Sequence, residues 1–190
     1  MPSYVDIANM ALTRLGAGTI LSLEDQGNAA LVKTIIPMVR RAEFAEHMWK
    51  EGITRAELPA NSTPKPGYKY AYDIPSGCIR VLEVGYNAAL VRFGQPYVIE
   101  GNEILTNAES PLFIRYMQDN DNPERWSGHL ATVMAYRIAM ELCERITESN
   151  TKMELLQRDY RSVLNKAAMA DAMSSAPVPQ QDTSWDWGRI

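Results

Sequence analysis

Residue types able to carry chemistry are few in this chain, and their spacing is the first thing to weigh. Asp119, Asp121 and Glu124 set carboxylates at short intervals, as in the opening of a calcium loop, where alternate side-chain oxygens surround the ion. The glycine and the distal glutamate of such a loop are missing, so the simpler reading is a turn leading into a helix cap at Asn122. No metal is assigned. His47 and His129 lie in different parts of the chain without cysteine or acidic partners at ligand spacing, which reads as a surface or interface feature. Cys78 and Cys143 are far apart and lack the spacing of a zinc or redox pair, as in a protein kept in a reducing compartment. Ser76-Gly77-Cys78 is not a nucleophile elbow, and no stretch matches a phosphate loop or dinucleotide turn. The expectation is a protein without catalytic residues, cofactor or metal. Arg40-Arg41 reads as a solvated helix face rather than a phosphate clamp, and Glu24-Asp25 as the negative start of a helix.

The elements that position these residues are mainly helical. Ser3 as N-cap with Asp6 three residues on, and Gly16-Ala17-Gly18 as a stop, predict a helix over about 3–16. A second helix is predicted over about 25–50, with Leu31, Ile35, Met38, Ala42, Ala45 and Trp49 as its buried stripe. Pro37 inside it removes an amide donor and predicts a kink. Residues 52–67 read as a loop rich in proline and small polar residues. Between about 68 and 118 the pattern changes to period two, notably over 79–84 and 112–117, with a hairpin turning at Gly101-Asn102. Helix signals resume with Asn122 and Pro123 and continue over about 122–147, carrying Trp126, Leu130, Val133, Met134, Ile138, Leu142 and Ile146 on one face. Beside that face runs an Ala131, Ala135, Ala139 ridge. A last helix over about 151–173 has Leu156, Tyr160, Val163 and Ala167 inward and a Glu154–Arg158 pair outward.

The expected fold class is therefore α+β, mainly α. Two helical hairpins form a four-helix core, with an antiparallel β insert between the second and third helices. Residues 1–173 make one domain with one core, which a chain of 190 residues at 46% hydrophobic content can build without disulfides or metals. Residues 174–190 have the composition of a flexible tail, ending in Trp185, Trp187 and Ile190. An isolated terminal segment cannot bury two indoles by itself, so these three residues are a candidate docking segment for a neighbouring subunit or partner, or else fold back on their own domain. The N-terminus lacks a basic and apolar leader and no run approaches a membrane span, so the expectation is a soluble protein without a signal peptide. The formal charge of −4 disfavours stable binding to nucleic acid.

The order of these elements, together with several short motifs, resembles the tail tubular protein A family, the head-to-tail adaptors of short-tailed bacteriophages. Asn9-Met10-Ala11-Leu12-Thr13-Arg14-Leu15-Gly16, then Ile20-Leu21-Ser22-Leu23-Glu24-Asp25 and Ala29-Ala30, are similar to that family's opening. Val39-Arg40-Arg41-Ala42-Glu43-Phe44 with Trp49 resembles its second helix, and Tyr72-Asp73-Ile74-Pro75-Ser76-Gly77-Cys78-Ile79-Arg80 resembles its Tyr-x-Leu-Pro-x-Asp-Cys-Leu-Arg run. Ala135-Tyr136-Arg137-Ile138-Ala139-Met140-Glu141-Leu142-Cys143 with Thr147 is similar to its third helix. The likeness spans about residues 1–172 and rests on order and spacing. It departs at Met48-Trp49-Lys50-Glu51, where the family usually has Pro-Trp-Asn-Phe.

This resemblance implies a structural virion protein, made in the host cytoplasm and placed at the head-tail junction. It implies a homo-oligomeric ring of twelve copies, monomeric before assembly, between the portal protein and a tail or nozzle protein. DNA passes through its lumen without specific binding, and no membrane is involved. A ring needs two different faces per subunit. Val32, Ile36 and Val39 are candidates for a subunit interface, and the same three residues equally suit one wide internal face. Two other readings stand beside the connector: a monomeric helical interaction protein, and a phage hydrolase of cell wall or polysaccharide using carboxylates such as Asp73 or Glu100.

Overall fold

The computed structural model describes residues 1–61, 65–87, 90 and 96–174. Helix α1 (Tyr4–Leu15) begins with a full capping box between Ser3 and Asp6 and ends on Gly16 in the left-handed conformation. Helix α2 (Asn28–Glu46) continues through Pro37 without a break. After it come strands β1 (Ile53–Leu58), β2 (Tyr70–Asp73), β3 (Cys78–Gly85), β4 (Tyr97–Glu100), β5 (Glu103–Thr106) and β6 (Leu112–Gln118), then helices α3 (Gly128–Thr147) and α4 (Asn150–Met173).

The β region overturns the expectation of a single antiparallel insert between the second and third helices. The strands build two separate three-stranded antiparallel sheets across the middle of the chain, in the orders β1-β6-β3 and β2-β5-β4. The first is continuous with the helices on both sides: β1 follows α2 after one 3-10 turn, and β6 leads through a second such turn into α3. Strand β1 occupies part of what reads as a loop, because Thr54, Arg55 and Glu57 dilute its apolar alternation. It pairs with β6 from Ile53 opposite Met117 to Leu58 opposite Leu112. The expected β4–β5 hairpin is present, with Gly101 at φ 58° in its turn.

Two buried clusters replace the single expected core. The larger gathers α1, α2, α3 and α4 around Leu12, Val32, Phe44, Leu130, Met134 and Ile138, and also takes in Trp49 and Met117. The smaller lies between the sheets, where Leu58, Val84, Leu112 and Ile114 of the first meet Tyr72 and Ile104 of the second. Strand β6 serves both, with Ile114 in one cluster and Met117 in the other. Nor do the helices form two hairpins: α3 is the central element, packed against α1, α2 and α4.

Helix boundaries and faces also shift. Asn122 caps only the 3-10 turn Pro123–Arg125, and α3 starts at Gly128 behind a Ser127 cap. On α2 the buried residues are Ala29, Val32, Ile36, Val39, Glu43 and Phe44, about one residue round from the expected stripe. Leu31 and Ile35 are half-buried, and Met38 is 72% exposed. Glu24 and Asp25 precede the helix rather than start it: Asp25 accepts the Leu21 and Ser22 amides, and Glu24 pairs with Lys33. Arg158 pairs with Asp159 rather than with Glu154.

Gly52 fixes how closely the helices approach the first sheet. A Cβ there would lie 2.8 and 2.9 Å from two ring carbons of Phe44 and would collide with the sulfur of Met117. Both neighbours are fully buried, so they have little room to yield. Gly52→Ala is expected to lower stability by about 1–3 kcal/mol, the usual cost of overpacking a filled core. The check is a lower urea midpoint at unchanged m-value.

Candidate functional site

Three local arrangements gather the polar and exposed residues that the folding of the chain leaves available. The first joins the helices to the first sheet. Arg40 donates from Nε to Oδ1 of Asp119 at 2.5 Å and from Nη2 to Oδ2 at 2.9 Å, a two-point ion pair, while Arg41 Nε donates to the same Oδ2 at 2.8 Å. Arg40 Nη1 donates to the Tyr4 hydroxyl at 2.9 Å, and that hydroxyl donates to the Asp121 carbonyl at 2.9 Å. Asp119 also gives its amide to Gly77 O in the turn before β3. The Asp119 and Arg40 side chains are only 8% and 11% exposed. Burial by itself would raise the Asp119 carboxyl, but the hydrogen bonds from Arg40 and Arg41 outweigh it and hold it below the usual range.

Arg40 is thus neither solvated nor a phosphate clamp, while Arg41 is 70% exposed, as a solvated face would have it, and reaches Asp119 from the surface. Asp119 is committed to two guanidinium groups, and Asp121 supplies a backbone carbonyl to Tyr4. Asn120 accepts the Asn122 amide and Asn122 accepts that of Glu124, so 119–124 is the expected turn. Beside it lies an open polar cleft of about 500 Å³, lined by Glu51, Thr54, Gln118, Asn120, Asn122 and Arg125 among others.

The second arrangement is a carboxylate placed inside the helical core. Glu43 is completely buried; it accepts from Trp49 Nε1 at 3.2 Å and from the Tyr160 hydroxyl at 3.0 Å. Arg137 Nε lies 3.7 Å from Glu43, and its two terminal nitrogens donate to Glu46 at 3.0 and 3.1 Å. His47 Nε2 is 3.9 Å from Glu43. Glu43, Glu46 and His47 have ligand-type atoms within 4.8 Å of one another, yet Arg137 sits against both carboxylates and already supplies positive charge. Burial raises the Glu43 carboxyl above its ordinary range, against the lowering influence of His47, Tyr160, Arg137 and Trp49. The cluster ties α2, α3 and α4 together. His47 also stacks edge-on against Trp49, whereas His129 is exposed on the first turn of α3.

The third arrangement is a pair of apolar surfaces, one largely covered and one exposed. On one, Ile35, Met38, Val39, Ala42, Arg137 and Glu141 line a groove of about 190 Å³ between α2 and α3. On the other, α4 shows Leu155, Met169 and Met173 at 44%, 66% and 85% exposure.

Val32, Ile36 and Val39 are buried in the chain's own core, which matches the internal-face alternative and leaves them little surface for a neighbour. Trp185, Trp187 and Ile190 lie outside the described residues. Asp73 and Glu100 are both exposed, on β2 and β4; Asp73 accepts from Asn61. Glu43, Arg137 and Tyr160 were missed as a group. A usable signal existed, since Glu43 continues the Val32, Ile36, Val39 spacing and so puts a carboxylate on an apolar face.

No protein-family model matches the chain, and no curated protein matches it. Among the described residues no helix is long and apolar enough to cross a membrane.

Proposed function

We propose that this chain is a structural virion protein, a head-to-tail connector that assembles as a ring between the portal and the tail of a phage and lets DNA pass through its centre. The observation that carries this reading is a pair of different apolar surfaces, an α4 face that exposes Leu155, Met169 and Met173 and a half-buried groove between α2 and α3 that exposes Met38. Large apolar side chains left in water at helical spacing mark interaction surfaces. Two different surfaces on one chain are what a head-to-tail contact requires, and such a contact closes into a ring when its rotation does. Asp119 and Glu43 support the same reading by their use, since both are spent on joining helices to each other and to the sheets. The resemblance of its motif order to that of the tail tubular protein A family supports this place in the virion.

A direct test is native mass of the purified chain alone and after mixing with portal rings. The expected result is a stable complex with portal carrying a ring of copies, whether or not the free chain is a monomer. A chain that ignores every portal offered to it overturns the connector assignment.

A further inference from the structure

The stripe Leu31, Ile35, Met38, Ala42 has the periodicity of a core face, yet none of these residues is buried. With α3 it forms the groove lined by Ile35, Met38 and Ala42, with Glu141 exposed at its rim. On α4 the residues Leu155, Ser162, Lys166, Met169 and Met173 recur at helical spacing and are all exposed, while Leu156, Tyr160 and Ala167 hold that helix onto the core. The α4 face therefore looks away from the chain's own body.

We propose that the α2–α3 groove receives the outer face of α4 from a second copy of this chain, with Met169 and Met173 entering beside Met38 and with Lys166 meeting Glu141. Chemistry matches on both counts. Methionines are unbranched and fill an irregular apolar groove, and the groove offers volume where the α4 face offers protruding side chains. Charge is complementary as well: Arg137 in the groove is already paired with Glu46, which leaves Glu141 as the exposed charge at the rim, and Lys166 is an exposed base on the α4 face; rim charges of opposite sign fix register. Because the two faces differ, one copy's groove remains open when its α4 is taken, and the contact propagates head to tail. The inference rests on the connector reading for its biological place, and on the two faces alone for the contact itself.

The test compares wild type with Met38→Glu, Glu141→Lys, and the double variant Glu141→Lys with Lys166→Glu, all as full chains at high concentration and on portal rings, by sedimentation velocity and native mass. All the altered side chains are exposed, and an unchanged far-ultraviolet spectrum confirms folding. Met38→Glu and Glu141→Lys are expected to weaken association between copies at least tenfold, and the double variant to restore most of it. Rings that form on portal with Met38→Glu and Glu141→Lys as readily as with wild type overturn this contact and leave the connector reading standing. Wild-type copies that associate through these residues but ignore portal keep the contact and overturn the connector reading. Normal association by Met38→Glu, combined with its loss on deleting residues 175–190, assigns the interface to that segment instead and overturns the proposal.

Discussion

Asp119→Ala is expected to lower the stability of the chain by about 3–5 kcal/mol, the cost of leaving one member of a buried ion pair without its partner. Arg40 would keep the Tyr4 hydroxyl but lose both charged bonds, in a site where its side chain is 11% exposed. Arg41→Ala makes the control: its side chain is 70% exposed, and an exposed ion pair contributes about 0–1 kcal/mol. Removing both charges by Arg40→Met with Asp119→Leu is expected to recover much of the loss, because no uncompensated charge remains. Urea unfolding of the four chains measures all of this at once. A loss below about 1 kcal/mol for Asp119→Ala would mean that the strap after β6 is held by packing and not by the clamp.

The same pair sets an acid limit whose sign follows from linkage. The folded-state pKa of Asp119 is depressed, so its contribution is fully present above the unfolded value, about 3.9, and is lost as pH falls through the folded value. Wild type is expected to lose stability steeply below about pH 4, and Asp119→Ala to show a flatter acid limb. Failure of this clamp would separate α1 and α2 from the end of β6. The consequence for assembly is indirect, through the orientation of the helices that carry the groove.

Much of the helical part was legible from sequence, because caps and stop signals are local. Ser3, Asp6 and Gly16 define α1 with no help from the rest of the chain; the Leu130 to Leu142 face of α3 is legible from its apolar spacing, although Asn122 caps the preceding 3-10 turn and not the helix. The face of α2 was not legible in that way. Two apolar stripes run along it one residue apart, and the one that is buried contains Glu43, which counts against it in any tally of hydrophobicity. Only the partners Trp49, Arg137 and Tyr160, distant in sequence, make a carboxylate acceptable there. Strand β1 was hidden by a related effect: its polar residues are tolerated because it lies at the edge of its sheet. The second core was missed because period two reports a half-buried strand but not what covers it, and here two sheets cover each other.

Glu43 provides the sharper test of these ideas, because its two simplest replacements are expected to act in opposite directions. Glu43→Ala leaves the Tyr160 hydroxyl and the Trp49 indole N–H without an acceptor in a fully buried site. Each orphaned group costs about 1–3 kcal/mol, so a total loss of about 2–6 kcal/mol is expected. Arg137 does not add to it, since Glu46 keeps both of its terminal nitrogens engaged. Glu43→Gln keeps an acceptor oxygen and removes the charge. Burial raises the folded-state pKa of Glu43, so the folded chain binds this proton more tightly than the unfolded chain does. Stability from this group is then fully present below the unfolded value, about 4.3, and is lost as pH rises through the folded value. At neutral pH, Glu43→Gln is accordingly expected to equal or exceed wild type, with the difference shrinking as pH falls toward 4. Asp119 titrates with the opposite sign, so thermal unfolding of both variant series between pH 3 and 8 separates the two clusters. A Glu43→Gln chain as unstable as Glu43→Ala at neutral pH would show that the ionised carboxylate, held by Arg137 and His47, is what joins α2 to α3 and α4. The shape of the groove would in that case depend on charge, and association between copies would weaken in acid.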